Sequence, residues 1–313
     1  MARANGLGST TALVSACALA AAAPAVAASN YAIVWLQYSP GAGVPLAYQN
    51  ANNALGEPCR YTGDGVDPGV VSPFHPAFMP NDVVSIGPGG SLIVSFEVDV
   101  LDNPANPFGI DLIVFGNSFF TDLDAPNGVC GTLFAEGGII DVSTNGVQWF
   151  EVPGVAADGA FPTLGYLDVD PYSIRPGAVP SSFTKPVDPA ALDQIEEGMG
   201  WQELHQLYDG SGGGTGIDLA SVGLTKARFV RVRVPAESQS IIEIDGFARV
   251  SPGPVFGSPA DLNGDGFVDG DDLGTLLGAW GSDGALPDGG SADLDSNGVV
   301  DGGDLGSLLG DWS

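Results

Sequence analysis

The chain has 313 residues, of which 38 are Asp or Glu and only 9 are Lys or Arg, so its formal net charge is −29. Such an acidic balance argues against nucleic acid and against an anionic membrane surface as partners, because both would repel the protein. With 44% hydrophobic residues, the chain has enough apolar side chains for a folded core, and its length suits one β-domain with a small additional module.

Residues 1–28 have the pattern of a secretory signal peptide. Arg3 supplies an early positive charge, an Ala/Leu/Val-rich run follows, and Ala25 and Ala27 provide a small-residue cleavage site. A membrane anchor is less favoured because the apolar run is short, and a lipobox ending at Cys17 is less favoured because the run continues beyond it. No later segment is long and apolar enough to span a membrane. We therefore expect an extracellular protein, either secreted or held at the cell surface.

Two cysteines, Cys59 and Cys130, remain once the leader is removed. An even pair in an exported chain favours a disulfide, so the sequence predicts that these two residues are bridged. The bridge would close a long loop and would stabilise the fold mainly by restricting the unfolded chain. Two buried free thiols are the alternative, because a sequence does not reveal the separation of two cysteines.

Alternation with period two dominates residues 29–250. In "SLIVSFEVDV", Leu92, Val94 and Phe96 share one face while Ser95 and Glu97 share the other, which predicts a half-buried strand. The run "GIDLIVFGN" is almost continuously apolar, which is typical of a strand covered on both faces. The segments "ARFVRVRV" and "SIIEIDGFARV" supply the last strands of this region.

Turn signals and scarce helical patterns complete the fold prediction. Asn145 and Gly146 accept the positive φ values of a tight turn and separate two β-rich runs, which predicts a hairpin. The one helical candidate is 189–208, and Gly198 and Gly200 interrupt it. The sequence therefore predicts a mainly β protein with a jelly-roll-like antiparallel β-sandwich over residues 29–250 and long loops.

The strand series "DVSTNGVQWFEV", "ARFVRVRV" and "IIEIDGFARV" resembles that of discoidin-type, galactose-binding-like jelly rolls. The phrases "VVSIGPGGSLIVSF" and "GIDLIVFGNSF" are similar to those of bacterial cell-surface proteins with such a domain. The resemblance implies a binding module, often for carbohydrate and often steadied by calcium. Under it, Asp111, Asn117, Asp141 and Asp218 are candidates to hold a structural cation.

The sandwich region lacks two common catalytic motifs. No HExxH and no GxSxG occurs, and neither cysteine lies in a recognisable nucleophile motif. A glycosidase needs only two carboxylates, and Glu196, Glu197 and Glu203 form the obvious pool for that alternative. A solvated acidic helix face is the favoured interpretation of these three residues.

Charged residues alternate with apolar ones in the last two predicted strands. Arg231 and Arg233 point away from the valines beside them, and Glu243 and Asp245 point away from the neighbouring isoleucines. If the two strands are neighbours, these charges pair across one sheet. A basic patch for an acidic glycan is the alternative.

Residues 251–260 form a Pro/Gly/Ser-rich linker, and residues 261–313 contain twelve aspartates and no Lys or Arg. A charge block of this kind is usually disordered and solvated. The spacing of the acids argues otherwise, because the stretch "DLNGDGFVDGDD" returns thirty-two residues later as "DLDSNGVVDGGD".

The repeated stretch matches a calcium-binding loop. Calcium takes six to eight oxygen ligands, and a twelve-residue EF-hand-type loop supplies them from positions 1, 3, 5, 7, 9 and 12, with Gly at position 6. Gly266 and Gly298 occupy position 6 of the two loops. The predicted ligands are Asp261, Asn263, Asp265, the Phe267 carbonyl, Asp269 and Asp272 in the first loop, and Asp293, Asp295, Asn297, the Val299 carbonyl, Asp301 and Asp304 in the second. The sequence therefore predicts two Ca²⁺ ions.

A short apolar pattern follows each loop, with spacing that places leucines and a tryptophan on one helical face. These residues are Leu273, Leu276, Leu277 and Trp280 after the first loop, and Leu305, Leu308, Leu309 and Trp312 after the second. Paired loops of this kind resemble type I dockerin repeats, which implies attachment to a cohesin-like domain of a scaffold protein. Gly270-Asp271 and Gly302-Gly303 stand where dockerins often carry Ser/Thr recognition pairs, so a standalone calcium-stiffened module is the alternative.

Taken with both resemblances, these patterns predict a secreted or cell-surface, calcium-binding, non-catalytic protein. Its sandwich would bind carbohydrate or another surface ligand, and its dockerin-like module at 261–313 would attach it. The first alternative is a dockerin-bearing extracellular glycoside hydrolase that degrades polysaccharide. The second is a purely structural surface-layer component.

Overall fold

A computed structural model of the chain describes residues 29–159, 161–250, 259–262, 268–286 and 291–312. The predicted signal peptide and most of the predicted linker lie outside these residues. Three predicted calcium ligands of the first loop also lie outside them, namely Asn263, Asp265 and Phe267.

The described residues form thirteen strands, three α-helices and five short 3-10 helices. The strands are β1 (Val34–Ser39), β2 (Tyr61–Thr62), β3 (Gly69–Val70), β4 (Val84–Ile86), β5 (Ser91–Leu101), β6 (Leu112–Gly116), β7 (Phe119–Asp122), β8 (Cys130–Phe134), β9 (Ile139–Ser143), β10 (Phe150–Glu151), β11 (Thr215–Ile217), β12 (Lys226–Arg233) and β13 (Ile242–Arg249). The α-helices are α1 (Trp201–Tyr208), α2 (Gly270–Gly278) and α3 (Gly302–Gly310). The 3-10 helices are Leu46–Tyr48, Ala51–Ala54, Pro107–Gly109, Pro189–Gln194 and Leu219–Val222.

Two antiparallel sheets build the body of the protein. One has five strands in the order β1-β5-β12-β9-β10, and the other has four in the order β11-β6-β13-β4. The ribbons β2-β3 and β7-β8 stand beside them. The largest apolar cluster draws side chains from both sheets, including Leu92 and Val230 from one and Val114 and Ile244 from the other. The body is therefore an antiparallel β-sandwich, as the sequence predicted.

Burial along the strands follows the sequence pattern. In β5, Leu92, Val94 and Phe96 are buried and alternate with more exposed residues. All of β6 is buried, because the long loops add a third layer outside the four-stranded sheet. In that layer the ring of Phe183 lies 5.2 Å from the ring of Phe115, centroid to centroid.

The predicted hairpin is confirmed, with a wider loop than a two-residue turn. β9 and β10 pair antiparallel, and Gly146 has a φ of +72°. The side chain of Asn145 accepts hydrogen bonds from the amides of Val147 and Gln148, at 2.9 Å each, and these bonds close the turn. The predicted helix at 189–208 divides into the 3-10 helix Pro189–Gln194 and α1, which begins immediately after Gly200.

The predicted disulfide between Cys59 and Cys130 is wrong, because both cysteines are free in the structure. The two residues belong to different apolar clusters. Cys59 packs beside Val71 and Val83, with its Sγ 3.8 Å from the carbonyl oxygen of Asp82, whereas Cys130 is fully buried in the loop layer against α1. Burial raises the pKa of both thiols, that of Cys130 to about 11, so both stay protonated at neutral pH.

The predicted charge pairing between the last two strands is also wrong. β12 and β13 lie in different sheets, so their side chains do not face each other across one ladder. Arg231 and Arg233 instead bind the buried carboxylate of Asp141 on β9, at Nε–Oδ2 distances of 3.0 and 2.9 Å. Arg233 also reaches Glu151 on β10 at 2.6 Å. These ion pairs do cross a sheet, but the partner strands are β9 and β10. β9 lies next to β12, on the side opposite β5.

The C-terminal region has an apolar cluster of its own. Its buried members are Ala260, Leu262, Val268, Leu276, Ala292, Val300 and Leu308. The two short helices α2 and α3 contact each other. Among the described residues, no helix is both long and apolar enough to cross a membrane.

Candidate functional site

The second acidic loop ends in a helix cap built from two of its predicted calcium ligands. The carboxylate of Asp301 accepts the amide of Gly303 at 2.7 Å, and the carboxylate of Asp304 accepts the amide of Asp301 at 2.7 Å. This reciprocal capping box starts α3 in spite of its glycines. Asp269 and Asp272 form the same box at the start of α2, so both repeats fold alike where they are described.

Asp304, the twelfth residue of its loop, is fully buried and anchors the start of the loop. Its Oδ1 accepts the amides of Leu294 at 2.6 Å and Asp295 at 3.1 Å, in addition to the cap bond to Asp301. These backbone donors hold the pKa of Asp304 below its usual value, and the amide of Asp301 has the largest effect. The group is therefore ionised. The fully buried Asp272 makes the matching bond to the amide of Leu262 at 2.7 Å in the first loop.

The second loop brings three predicted ligands to one point. Oxygens of Asp293, Asp295 and Asp304 all lie within 4.8 Å of one another. Oxygens bound to one calcium ion are separated by at most about 5.2 Å, twice the upper metal–oxygen distance of about 2.6 Å. The donor set and its spacing therefore fit calcium. Gly298, at position 6, has the φ of +95° that the turn requires, and its amide donates to Asp293 at 2.8 Å.

The other predicted ligands of this loop have different surroundings. The side-chain oxygen of Asn297 accepts the amide of Val299 at 3.0 Å, and one carboxylate oxygen of Asp301 is engaged in the helix cap. In the first loop, Asp261, Asp269 and Asp272 lie among the described residues and Asn263, Asp265 and Phe267 do not. That loop is described only in part, so its ligand set stays a prediction.

The predicted apolar face of α2 and α3 is split between core and surface. Leu276 and Leu308 are fully buried, and Leu273 and Leu305 pack against the cluster. The other four side chains are about half exposed, namely Leu277 (51%), Trp280 (48%), Leu309 (53%) and Trp312 (45%). The two repeats therefore present equivalent leucine and tryptophan pairs to solvent.

A cleft on the sandwich surrounds Trp201, the first residue of α1. It consists of two adjoining depressions of about 410 and 790 Å³ that share Asp170, Ser173, Trp201 and Gln202. The smaller one continues along α1 to His205 and Gln206. The larger one extends over Pro126, Asn127, Pro171, Tyr172, Gly200 and Glu203.

The cleft combines an aromatic ring with amide and carboxylate groups. The ring of Trp201 makes an edge contact with the ring of Phe74, with 6.2 Å between centroids. The centroid of the His205 ring lies 5.3 Å from that of Trp201. The Nε2 atom of His205 is buried and accepts or donates no hydrogen bond among the described residues, and burial lowers the pKa of this histidine. No sequence pattern predicted this cleft. Its one sequence signal was a tryptophan directly after the Gly198–Gly200 interruption.

Of the three glutamates considered for glycosidase chemistry, one lines this cleft and two do not. Glu203 lines the larger depression together with Asp170, whereas Glu196 and Glu197 are exposed residues of the preceding loop. Asp168 lines the smaller depression, and backbone hydrogen bonds from Val179 and Ala178 hold its pKa below the usual value.

The carboxyls with raised pKa values gather elsewhere in the sandwich. Asp158 is buried and accepts the amides of Ser118 at 2.7 Å and Glu136 at 3.0 Å. Burial raises the pKa of Glu136, and the charges of Glu243 and Asp158 raise it further. Burial likewise raises the pKa of Glu243 to about 7, although Ser85 donates to it at 2.9 Å. Burial therefore favours the protonated form of these groups.

The four residues proposed for a structural cation in the sandwich do not gather at one point. Asp111 and Asp218 do approach each other, together with Asp102, with oxygens within 4.8 Å. The side chain of Asn117 instead bonds to Glu243, and Asp141 binds the two arginines of β12.

No known family model matches the chain, and no curated protein matches it. One solved structure that it resembles is the carbohydrate-binding module CBM32-1 from a family 31 glycoside hydrolase of Clostridium perfringens, with 12% sequence identity, 51% of this chain and 68% of that chain covered, and a TM-score of 0.20. A similarity at this level carries no argument about function.

Proposed function

We propose that the protein is a non-catalytic carbohydrate-binding protein and that its sandwich holds a glycan in the cleft around Trp201. The observation that carries this proposal is an indole ring flanked by two depressions with polar walls. A sugar ring has apolar C–H faces and a polar rim of hydroxyls. An aromatic ring surrounded by amide and carboxylate groups, such as Gln202 and Asp170, complements both.

The position of the carboxyls with raised pKa values supports binding without catalysis. A glycosidase needs a carboxylic acid whose pKa is raised so that it can protonate the leaving group. The sandwich carboxyls with clearly raised pKa values include Glu136, Glu243 and Asp245, and these do not line the two depressions. Asp170 and Glu203 do share the larger depression, so hydrolysis is the outcome that would favour the alternative function.

Binding and hydrolysis are separated by one panel experiment. The full chain is incubated with insoluble and soluble polysaccharides, and both retention and released reducing sugar are measured. We expect retention without product, and we expect Gln202→Ala to weaken retention about tenfold through the loss of cleft hydrogen bonds. Gln148→Ala, on the exposed β9–β10 turn, is the control that keeps retention. Released sugar would establish an enzyme instead, and no retention on any polysaccharide would refute the proposal.

We further propose that residues 261–313 bind two Ca²⁺ ions, one in each acidic loop. The convergence of Asp293, Asp295 and Asp304 supports the second site, and the matching cap and anchor bonds of Asp269 and Asp272 support the first. When bound, calcium would supply the positive charge that these carboxylates require. The chain's own contribution is to aim the carboxylates inward with backbone amides and to start a helix from each loop.

Calcium stoichiometry tests this proposal directly. Titration calorimetry of the full chain is expected to show two ions bound. Asp293→Ala is expected to leave one ion, because it removes a predicted first-position ligand. Asp283→Ala removes an exposed acid between the loops and is expected to keep both. Binding of no ion, or an unchanged stoichiometry in Asp293→Ala, would contradict the two-site proposal.

The same module is proposed to attach the protein to an extracellular scaffold. The support is the exposed Leu277–Trp280 and Leu309–Trp312 pairs, which are large apolar side chains in an otherwise acidic region. A cohesin-like domain is the partner that the dockerin resemblance implies, and Gly302-Gly303 is where the sequence departs from that resemblance. Capture of a cohesin domain by the wild type but not by Trp280→Ala/Trp312→Ala, in the presence of calcium, would support this role. No capture would favour a standalone module.

A further inference from the structure

An apolar groove of about 600 Å³ lies on the sandwich and belongs to neither the cleft around Trp201 nor the acidic loops. The segment after β10, the 3-10 helix Pro189–Gln194 and the strand β11 form its walls. Phe161 and Val187 are almost fully buried in these walls, while Val155 and Leu192 are 37% and 39% exposed. Its volume is that of a site for a small organic molecule, and apolar side chains dominate its lining.

The mainly apolar lining of the groove includes one acidic residue, Asp218. Among the described residues that line the groove, Asp218 is the only charged one, and no Lys or Arg lines it. Asp218 caps the 3-10 helix Leu219–Val222 through Oδ1, which accepts the amide of Ala220 at 2.8 Å. Its Oδ2 accepts no hydrogen bond from the described residues and is therefore available to a ligand.

The surroundings of Asp218 increase its preference for positive charge. Oxygens of Asp102 and Asp111 lie within 4.8 Å of an oxygen of Asp218, so three carboxyls concentrate at one end of the groove. Asp111 is buried, and protein donors already engage it: Oδ1 accepts from Asn103 and Asn106, and Oδ2 accepts the amide of Leu219 at 3.0 Å. Asp218 is thus the member of the group that lines the groove, and only one of its two oxygens has a protein donor among the described residues.

We infer that this groove binds a small amphiphile with an apolar body and one cationic group, such as a primary amine on a hydrocarbon chain. The body would displace water from the walls around Val155 and Leu192, which is favourable in proportion to the apolar area buried. The ammonium group would donate to Oδ2 of Asp218, and charge-assisted hydrogen bonds of this kind are stronger than neutral ones. An anionic amphiphile of the same shape would be repelled.

Three probes of equal length test the charge preference on the full chain with calcium present. Octylammonium, octanol and octanoate are titrated while the methyl resonances of Val155 and Leu192 are followed by NMR, which detects millimolar binding. We expect octylammonium to bind about five- to tenfold more tightly than octanol, and octanoate to bind more weakly than both.

Two variants test whether the groove causes the preference for octylammonium over octanol. Asp218→Asn retains an oxygen that can cap the helix, so we expect it to remove the advantage of octylammonium while leaving octanol affinity unchanged. Leu192→Gln is expected to weaken all three probes. The matched controls Asp64→Asn and Ile174→Gln change an exposed acid and an exposed apolar residue away from the groove, and should change none of the affinities.

Four results would overturn the inference. The first is the absence of saturable shifts with octylammonium, and the second is equal affinity for octylammonium and octanol. The third is an Asp218→Asn variant that keeps the ammonium preference. The fourth is displacement of octylammonium when calcium is raised tenfold, because the three carboxyls would then serve a metal ion.

Discussion

The sandwich and the C-terminal module both bury acidic side chains, and they do so in opposite ways. In the sandwich, Asp245 is almost fully buried, and burial raises its pKa to about 7 although the amide of Cys59 donates to it at 2.9 Å. In the module, Asp304 is fully buried, yet three amides of its own loop hold its pKa low. Desolvation is the larger influence on Asp245 and favours its neutral form, whereas backbone donors are the larger influence on Asp304 and favour its charged form.

The two regions also differ in how much apolar surface supports them. The sandwich core draws buried side chains from two sheets and from a third layer of loops. The apolar cluster of the module has seven buried residues among those described, counting Ala260 just before it, and the module's helices contain several glycines. Each such glycine lowers helix stability by about 1 kcal/mol relative to alanine. We therefore expect that a core of this size needs a counter-ion to hold the clustered carboxylates together.

The largest expected effect is the loss of the module on calcium removal. A chelator should unfold residues 261–313, because the like charges of Asp293, Asp295 and Asp304 then repel one another and ion binding no longer contributes to folding. The sandwich should keep its melting temperature. Calorimetry and circular dichroism of the full chain with and without chelator measure both parts. An unchanged helical signal would show that the module folds without the ion, and a sandwich that melted with it would show that the two parts are coupled.

Opposite pH dependence of the two regions is the second prediction. Folded-state pKa values of Glu243 and Asp245 are raised from 4.5 and 3.8 to about 7, so the unfolded chain loses these protons first as the pH rises. The free energy of unfolding of the sandwich should therefore fall by on the order of 3 kcal/mol between about pH 4 and pH 7, after allowance for partial solvation. Calcium binding by the module should instead weaken only in acid, because the pKa of Asp304 lies below its usual value and its charge persists until the pH is low.

Glu243→Gln provides the control for this pH dependence. It keeps a side-chain oxygen for the hydroxyl of Ser85 and removes the titrating group. The variant should be less sensitive to pH between about pH 4 and pH 7, and chemical denaturation of the sandwich at several pH values measures the slope. An identical slope in wild type and variant would mean that other groups cause the dependence.

Local patterns predicted the strands, the hairpin and the duplicated loops, because alternation, turn residues and ligand spacing are local properties. These local patterns did not predict which strands and loops are neighbours in the fold. The sequence put Arg231 and Arg233 beside Glu243 and Asp245, whereas strand order places them beside Asp141 and Glu151. The cysteines form no bridge because they enter separate clusters.

The cleft around Trp201 and the groove at Asp218 were missed for the same reason. Both arise where segments distant in sequence meet, for example 167–173 with α1, and no short motif marks such a meeting. By contrast, the spacing that predicted Asp293, Asp295 and Asp304 as ligands lies within twelve residues. The structure brings those three carboxylates together.

The third prediction separates helix stability from calcium binding within α3. A Cβ placed on Gly303 would overlap Oδ2 of Asp295, whereas one placed on Gly306 would meet nothing within 4 Å. Gly306→Ala should therefore stabilise the calcium-loaded module by about 1 kcal/mol. Gly303→Ala should weaken calcium binding at the second loop about tenfold, because Asp295 must move. Calorimetric titration of both variants measures this, and equal calcium affinities would show that Asp295 is not a ligand or moves freely.

The smallest effect concerns position 4 of the second loop. Ser296 has a φ of +59°, in the left-handed region that favours glycine, and the first loop carries Gly264 at the equivalent position. A non-glycine residue there costs about 1–2 kcal/mol, and the extra freedom of glycine in the unfolded chain offsets part of the gain. Ser296→Gly should therefore stabilise the calcium-loaded module by about 0.5–1 kcal/mol. The matched control is Ser307→Gly, an exposed position inside α3, where glycine should destabilise by a similar amount. Thermal melting with saturating calcium measures both changes, and a loss of stability in Ser296→Gly would mean that the serine side chain contributes more than its backbone conformation costs.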